Sequence, residues 1–227
     1  MAKAGDKLYN PVQGDWIVFR ETAEDTGGDL MSGELVVPPS GGNPLHVHPL
    51  QEEHFEVLSG TFGVQIGAEQ RSLREGEQVT VPPGTPHRWF NEDAQHEARV
   101  SVELRPALNS ETFFETAYGL ARDGKTDENG VPNLLQQAVT LNGINKGEIY
   151  LASLPVPVQQ VFVAALAPVG RLLGYKDYYP KYSASDGTGG AGPPSTVSVL
   201  TRAAALAGGL VVASSFLIGK TRRRSKG

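Results

Sequence analysis

Between about residue 10 and residue 106 the chain is a succession of short apolar runs, each closed by Gly, Pro or Asn. This pattern constrains the fold more than any other feature. The runs cover residues 16–19, 34–37, 54–58, 62–66, 78–81 and 99–104. Apolar and polar residues alternate within them, the period of two that a strand half-buried on one face requires. Strands this short cannot bury a face alone, so they must pair into sheets that close into a sandwich or barrel. The expected fold is therefore mainly β over 15–107.

Two segments in that window carry candidate chemistry. The first runs from Gly41 to Gly60 and contains His46, His48, Glu52, Glu53 and His54. His46 and His48 stand two apart, so on a strand both imidazoles face one side. Glu53 opens the next strand, where Phe55 and Val57 share its face, while His54, Glu56 and Leu58 share the other. The second segment, from Gly76 to Asn91, turns at Pro82-Pro83-Gly84 and places His87 and Trp89 on one face of the following strand. Three imidazoles and a carboxylate form a mixed nitrogen and oxygen donor set. Such a set suits Mn, Fe, Ni, Co or Zn without choosing among them. The metal candidates are thus His46, His48, Glu53 and His87, whose ligating atoms are expected within about 2–2.3 Å of a common centre.

The two segments resemble the two signature motifs of the cupin superfamily. His46, His48, Glu53 and Gly60 fit the first, and Gly76, Pro82, Gly84, His87 and Asn91 fit the second. Gly41 departs from the pattern, lying one residue nearer to His46 than is usual. From residue 10 to about residue 182 the chain is similar to a group of single-domain bacterial cupin proteins. The pieces that carry this likeness include the histidine segment, Arg105-Pro-Ala, Phe113-Phe-Glu-Thr and Leu172-Leu-Gly-Tyr175. The resemblance implies a double-stranded β-helix (a jelly-roll, or cupin barrel), a divalent metal on His46, His48, Glu53 and His87, and by analogy a homodimer. It implies no particular reaction.

Beyond the barrel the pattern becomes helical. Residues 110–120 place Phe113, Phe114, Ala117 and Leu120 at helical spacing, with Ser110 as the expected N-cap. Further helices are expected over 133–141 and 158–173. The last is strongly apolar and should pack on the barrel, bent or interrupted near Pro168. Together, 108–182 form a C-terminal helical extension packed on the barrel. Residues 183–196, rich in Gly, Ser and Pro, are expected to be a flexible linker. Residues 203–219 carry no charge over 17 positions and are followed by the basic tail 220–227. With 197–202 added, 197–219 is predicted as a transmembrane helix, with Ala205, Gly209 and Ala213 as a small-residue stripe. The polar N-terminus has no apolar core and so argues against a signal peptide. The corresponding localisation is a membrane attached through the C-terminal helix with the barrel on the cytoplasmic side; the alternative is a soluble cytoplasmic protein.

The net charge of −5 argues against general nucleic-acid binding, and the absence of cysteine excludes disulfides and thiol chemistry. His54 and Glu52 turn away from the candidate site, His96 lies in a loop, and Gln51 is a candidate supporting contact. Trp89, Phe55 and Val57 are expected to fill the barrel. No Ser-His-acid set or phosphate-binding glycine loop is present. Two function classes follow. One is a metal-dependent oxygenase or isomerase acting on a small organic molecule; the other is a non-catalytic module that binds or senses a small ligand.

Overall fold

The strands predicted from alternation form as expected and bury the residues the alternation selects. β2 (Trp16–Glu21) turns Ile17 and Phe19 inward, β8 (Gln78–Val81) turns Val79 and Val81 inward, and β10 (Ala98–Arg105) buries Ala98, Val100, Val102 and Leu104. The computed structural model describes residues 2–144 and 148–183, all within one compact unit. Its remaining strands are β1 (Lys7–Tyr9), β3 (Met31–Val37), β4 (His46–Val47), β5 (Glu52–Ser59), β6 (Thr61–Ile66), β7 (Glu69–Arg74), β9 (His87–Asn91) and β11 (Tyr150–Leu151). They build two antiparallel sheets, ordered β1-β2-β3-β10-β5-β8 and β11-β4-β9-β6-β7. The core lies between them, with Phe55 from the first sheet against Phe62 from the second at a ring separation of 5.2 Å.

Two motif glycines have direct steric reasons. Gly60 makes the one-residue turn from β5 to β6 at φ +84°, and a Cβ there would sit 2.8 Å from the Glu97 carbonyl oxygen. Gly84 closes the Pro-Pro-Gly turn at φ +76°, and its N–H donates to the His48 carbonyl at 2.8 Å. Both need a left-handed backbone that a side chain disfavours.

Among the described residues three α-helices follow the barrel: α1 (Ser110–Arg122) and α2 (Leu134–Gly143), both between β10 and β11, and α3 (Val156–Leu172). The N-cap of α1 is Asn109, not Ser110. The Ser110 hydroxyl instead donates to the Ala107 carbonyl and accepts from Gln51. Asn133 caps α2 by accepting from the Gln136 N–H. α3 runs unbroken through Pro168 and packs chiefly on α2, burying only Ala167 and Gly170. Gly170 lets α3 approach closely, since a Cβ there would meet Val139 at 2.6 Å.

The transmembrane part of the fold expectation is overturned. Among the described residues no helix is long and apolar enough to cross a membrane. The most apolar of them, α3, has 17 residues, shorter than the roughly 20 a bilayer core requires, and one side of it is held by α2. The predicted segment 197–219 lies outside the described residues, as do 184–196 and the basic tail, and the transmembrane assignment is withdrawn.

Candidate metal centre and its cavity

The four sequence candidates come from both sheets. β4 and β9 pair so that His46 stands directly opposite His87, and antiparallel neighbours in register present side chains to the same face. His48 follows β4 by one residue. Glu53 comes from the other sheet, on β5 between Val81 of β8 and Leu104 of β10. All four are buried, and one donor atom from each lies within 4.8 Å of the others. Glu53 Oε2 lies 2.6 Å from His87 Nε2, 3.7 Å from His48 Nε2 and 3.9 Å from His46 Nε2.

The imidazoles are oriented by the backbone. Nδ1 of His46 lies 2.9 Å from the Pro44 carbonyl, Nδ1 of His87 2.9 Å from the Thr85 carbonyl, and Nδ1 of His48 2.8 Å from the Glu148 carbonyl. A carbonyl only accepts, so each Nδ1 carries a proton; the neutral rings of His46 and His48 turn an unprotonated Nε2 inward, while Nε2 of His87 faces the Glu53 carboxylate and shares a proton with it. Outer hydrogen bonds of this kind hold histidines in register for a metal. The Glu148 contact reaches across 100 residues, because β11 adds to the second sheet beside β4 and brings residue 148 over the site.

The electrostatics suit a cation. Burial lowers His46 to about 3, helped by the neighbouring His48 and His87. Burial likewise lowers His48. Burial alone would raise Glu53, but the His87 hydrogen bond and the surrounding imidazoles bring it below its ordinary value. Burial would lower His87, yet Glu53 outweighs it and holds His87 above its ordinary value. Two neutral imidazoles and a carboxylate thus face a third imidazole that shares a proton with that carboxylate. A divalent cation would displace this proton. Metal–ligand bonds of about 2.0–2.2 Å place opposite ligands about 4 Å apart, close to the observed spread. The donor set fits a divalent metal in both geometry and charge.

Other expectations have specific outcomes. Gln51 is buried, and its amide donates to the Pro106 and Ala107 carbonyls at 2.9 and 3.2 Å and to Ser110, tying the loop after His48 to the start of α1. His54 faces away, with Nδ1 2.8 Å from the Thr80 hydroxyl. His96 is exposed beside Asp93. Asn91 is structural: its amide donates to the carbonyls of Val37, Pro38 and His96.

His46, His48 and Glu53 line a cavity of about 250 Å³ between the barrel mouth and the helical extension. Its walls include Trp89, Val102, Leu104, Phe113 and Phe114. Asp15 and Tyr118 also line it, and sequence reasoning missed both. Asp15, after a glycine and before β2, reads as an ordinary turn residue, and its partner is 103 positions away. The Tyr118 hydroxyl donates to Asp15 Oδ2, while Asp15 Oδ1 is buried without a hydrogen-bond partner.

Burial raises Asp15 from 3.8 to about 6, against the opposing pull of the Tyr118 hydrogen bond. An acid raised on folding holds its proton more tightly in the folded state, so the protein loses stability as pH rises from about 4 through about 6. A shift of about two units corresponds to about 3 kcal/mol. Asp15→Asn is therefore expected to stabilise the metal-free protein by up to about 3 kcal/mol at pH 7.5 and hardly at all at pH 4. Urea unfolding of both proteins at the two pH values checks this, and equal stabilities at pH 7.5 would refute it.

A family model described as "Cupin domain" matches residues 33–103. Among curated proteins, an oxidoreductase of Arthrobotrys oligospora is 30% identical over 62% of this chain and 59% of its own length. The "Probable oxidoreductase patJ" of Aspergillus clavatus is 30% identical over 78% of this chain and 59% of its own. The "Probable oxidoreductase virH" of Hypocrea virens is 30% identical over 74% of this chain and 77% of its own. The chain thus spans about three fifths of the first two and more than three quarters of the third.

Proposed function

This chain belongs to the cupin family, and from that premise we propose that it is a metal-dependent oxidoreductase acting on a small organic molecule, with His46, His48, Glu53 and His87 as the metal ligands. The observation that carries the reading is the convergence of three backbone-oriented imidazoles and one buried carboxylate, of which His46, His48 and Glu53 line a largely apolar cavity. The oxidoreductase names of the relatives support the redox class.

A bound divalent metal would polarise a substrate oxygen, and a redox-active one would also exchange electrons with it. The protein's own part is positional. The carbonyls of Pro44, Thr85 and Glu148 hold the rings, and Glu53 supplies the single negative charge among the four donors. Trp89, Val102, Leu104 and the α1 phenylalanines exclude water and position an apolar body beside the cluster. Asp15 and Glu148, both raised by burial, are the carboxyl groups outside the donor set that line this cavity among the described residues.

The test is anaerobic loading with Fe(II), followed by oxygen uptake against a panel of small organic molecules. Substrate-dependent uptake that Glu53→Gln reduces at least about a hundredfold is expected. Tight ligand binding without uptake, for every metal of the set Mn, Fe, Ni, Co and Zn, would instead favour a non-catalytic binding module.

A further inference from the structure

We infer that Asn109 is a positioning residue for the metal ligand His48, acting through Glu148, so that the helical extension is a working part of the metal centre. This deepens the proposed function and rests on its reading of His48 as a ligand.

His48 differs from the other two imidazoles in where its outer hydrogen bond comes from. The acceptors for His46 and His87 are the carbonyls of Pro44 and Thr85, each two residues back along the same segment. Local backbone geometry is enough to hold them in place. The acceptor for His48 is the Glu148 carbonyl, 100 residues away in sequence and 2.8 Å away in space. It stands just ahead of β11, a strand of two residues whose register pairs Leu151 with His46 and Tyr150 with Val47. Residue 148 lies beyond the last of these pairs, so sheet pairing alone does not fix its carbonyl.

Asn109 supplies the missing constraint. Its backbone N–H and its Nδ2 both donate to Glu148 Oε1, at 3.1 and 2.7 Å, and Nδ2 also donates to the Ile144 carbonyl at 3.0 Å. One side chain thus grips the chain at the end of α2 and again just before β11. Asn109 occupies the N-cap position of α1, where an asparagine side chain ordinarily accepts from the first turn of its helix. It makes no such capping bond here. Its amide is turned to 144 and 148 instead, so α1 forgoes a cap while the extension gains a link to the site.

The link bears on the metal through the His48 tautomer. A neutral imidazole has one donor and one acceptor nitrogen, and the partner of the outer nitrogen decides which is which. If the Glu148 carbonyl drifts, the His48 proton is free to pass to Nε2, which lies 3.7 Å from the Glu53 carboxylate. The lone pair that a metal needs is then lost. Outer contacts of this kind are worth about 10–100-fold in metal affinity. The Gln51 side chain also hydrogen-bonds His48, so the lower end of that range is expected.

The test uses the full chain with zinc alone. Chelator competition reads the affinity, and imidazole nitrogen NMR shifts of the metal-free protein read the tautomer. Asn109→Ala and Glu148→Ala should each weaken zinc binding about tenfold, and the double variant no further than the more affected single one. In both, His48 should lose its Nδ1–H signature while His46 keeps its own. Glu148→Gln retains an oxygen that accepts from Asn109 and should restore both readouts. Asn133→Ala removes the N-cap bond of α2, which weakens the extension without touching the link, and should alter neither readout. Unchanged zinc affinity or an unchanged His48 tautomer in Asn109→Ala overturns the inference. So do additive losses in the double variant, Glu148→Gln as damaging as Glu148→Ala, or Asn133→Ala as damaging as Asn109→Ala. The expected zinc and tautomer results combined with no oxygen uptake would sink the redox reading alone. Wild-type protein that binds no zinc would sink the metal reading, and the tautomer signal would then uphold or sink the link from Asn109 to His48 by itself.

Discussion

Alanine at position 48 is expected to strip the protein of its metal while leaving the barrel folded. His48 Nε2 is one of four converging donors. Loss of one imidazole should weaken metal binding by about a hundredfold or more, since disturbing even an outer hydrogen bond at such sites costs about 10–100-fold. The fold should survive because its core is the cluster around Phe19, Phe55 and Phe62, which the donor set does not build. A modest cost remains, about 1–3 kcal/mol, because the Glu148 carbonyl loses the donor that holds β11 over the site. Metal content per chain by elemental analysis, together with circular dichroism, reads both effects. His54→Ala, which removes an outward-facing histidine, is the control and should retain its metal. If His48→Ala unfolds, the metal is structural and the enzyme reading weakens.

The second large effect is expected in the core. Phe62 is fully buried and lies 5.2 Å from the Phe55 ring of the other sheet, which it joins to its own, and 6.3 Å from the Trp89 ring on the neighbouring strand of its own sheet. Phe62→Ala should cost about 3–5 kcal/mol, the lost transfer energy plus that of the cavity left behind. Against a total stability of about 5–15 kcal/mol this is a severe loss. It should also loosen the metal site, because Phe55 lies two residues from Glu53 and Trp89 two residues from His87. Urea unfolding gives the stability and calorimetric metal titration the affinity. A loss below about 1 kcal/mol would show that the sheets are held together elsewhere.

Much of this architecture was legible in the chain. The period-two runs identified the main strands, and parity alone put His46 with His48 and set Glu53 beside Phe55 and Val57 facing inward. Those predictions rest on a local rule: successive side chains of a strand point to opposite faces, so spacing determines which residues can share a face. Where local signals were weak or shared, the reading faltered. β7 is almost wholly polar, with only Leu73 buried among exposed residues, and offers no alternation to detect. The apolar run of α3 could suit a barrel face or a neighbouring helix; the structure gives it α2.

The sequence by itself determined the strand pattern, the four candidate donors and the turn glycines, because each follows from the order of neighbours along the chain. Only the tertiary structure decided that the carbonyl at 148 orients His48, that Tyr118 caps Asp15, and that the walls of the cavity carry carboxyl groups and no described cation. The physical reason is sequence separation. Contacts that span 100 and 103 residues depend on where β11 and α1 come to rest, and that is set by the packing of the whole core rather than by any periodicity a linear reading can detect.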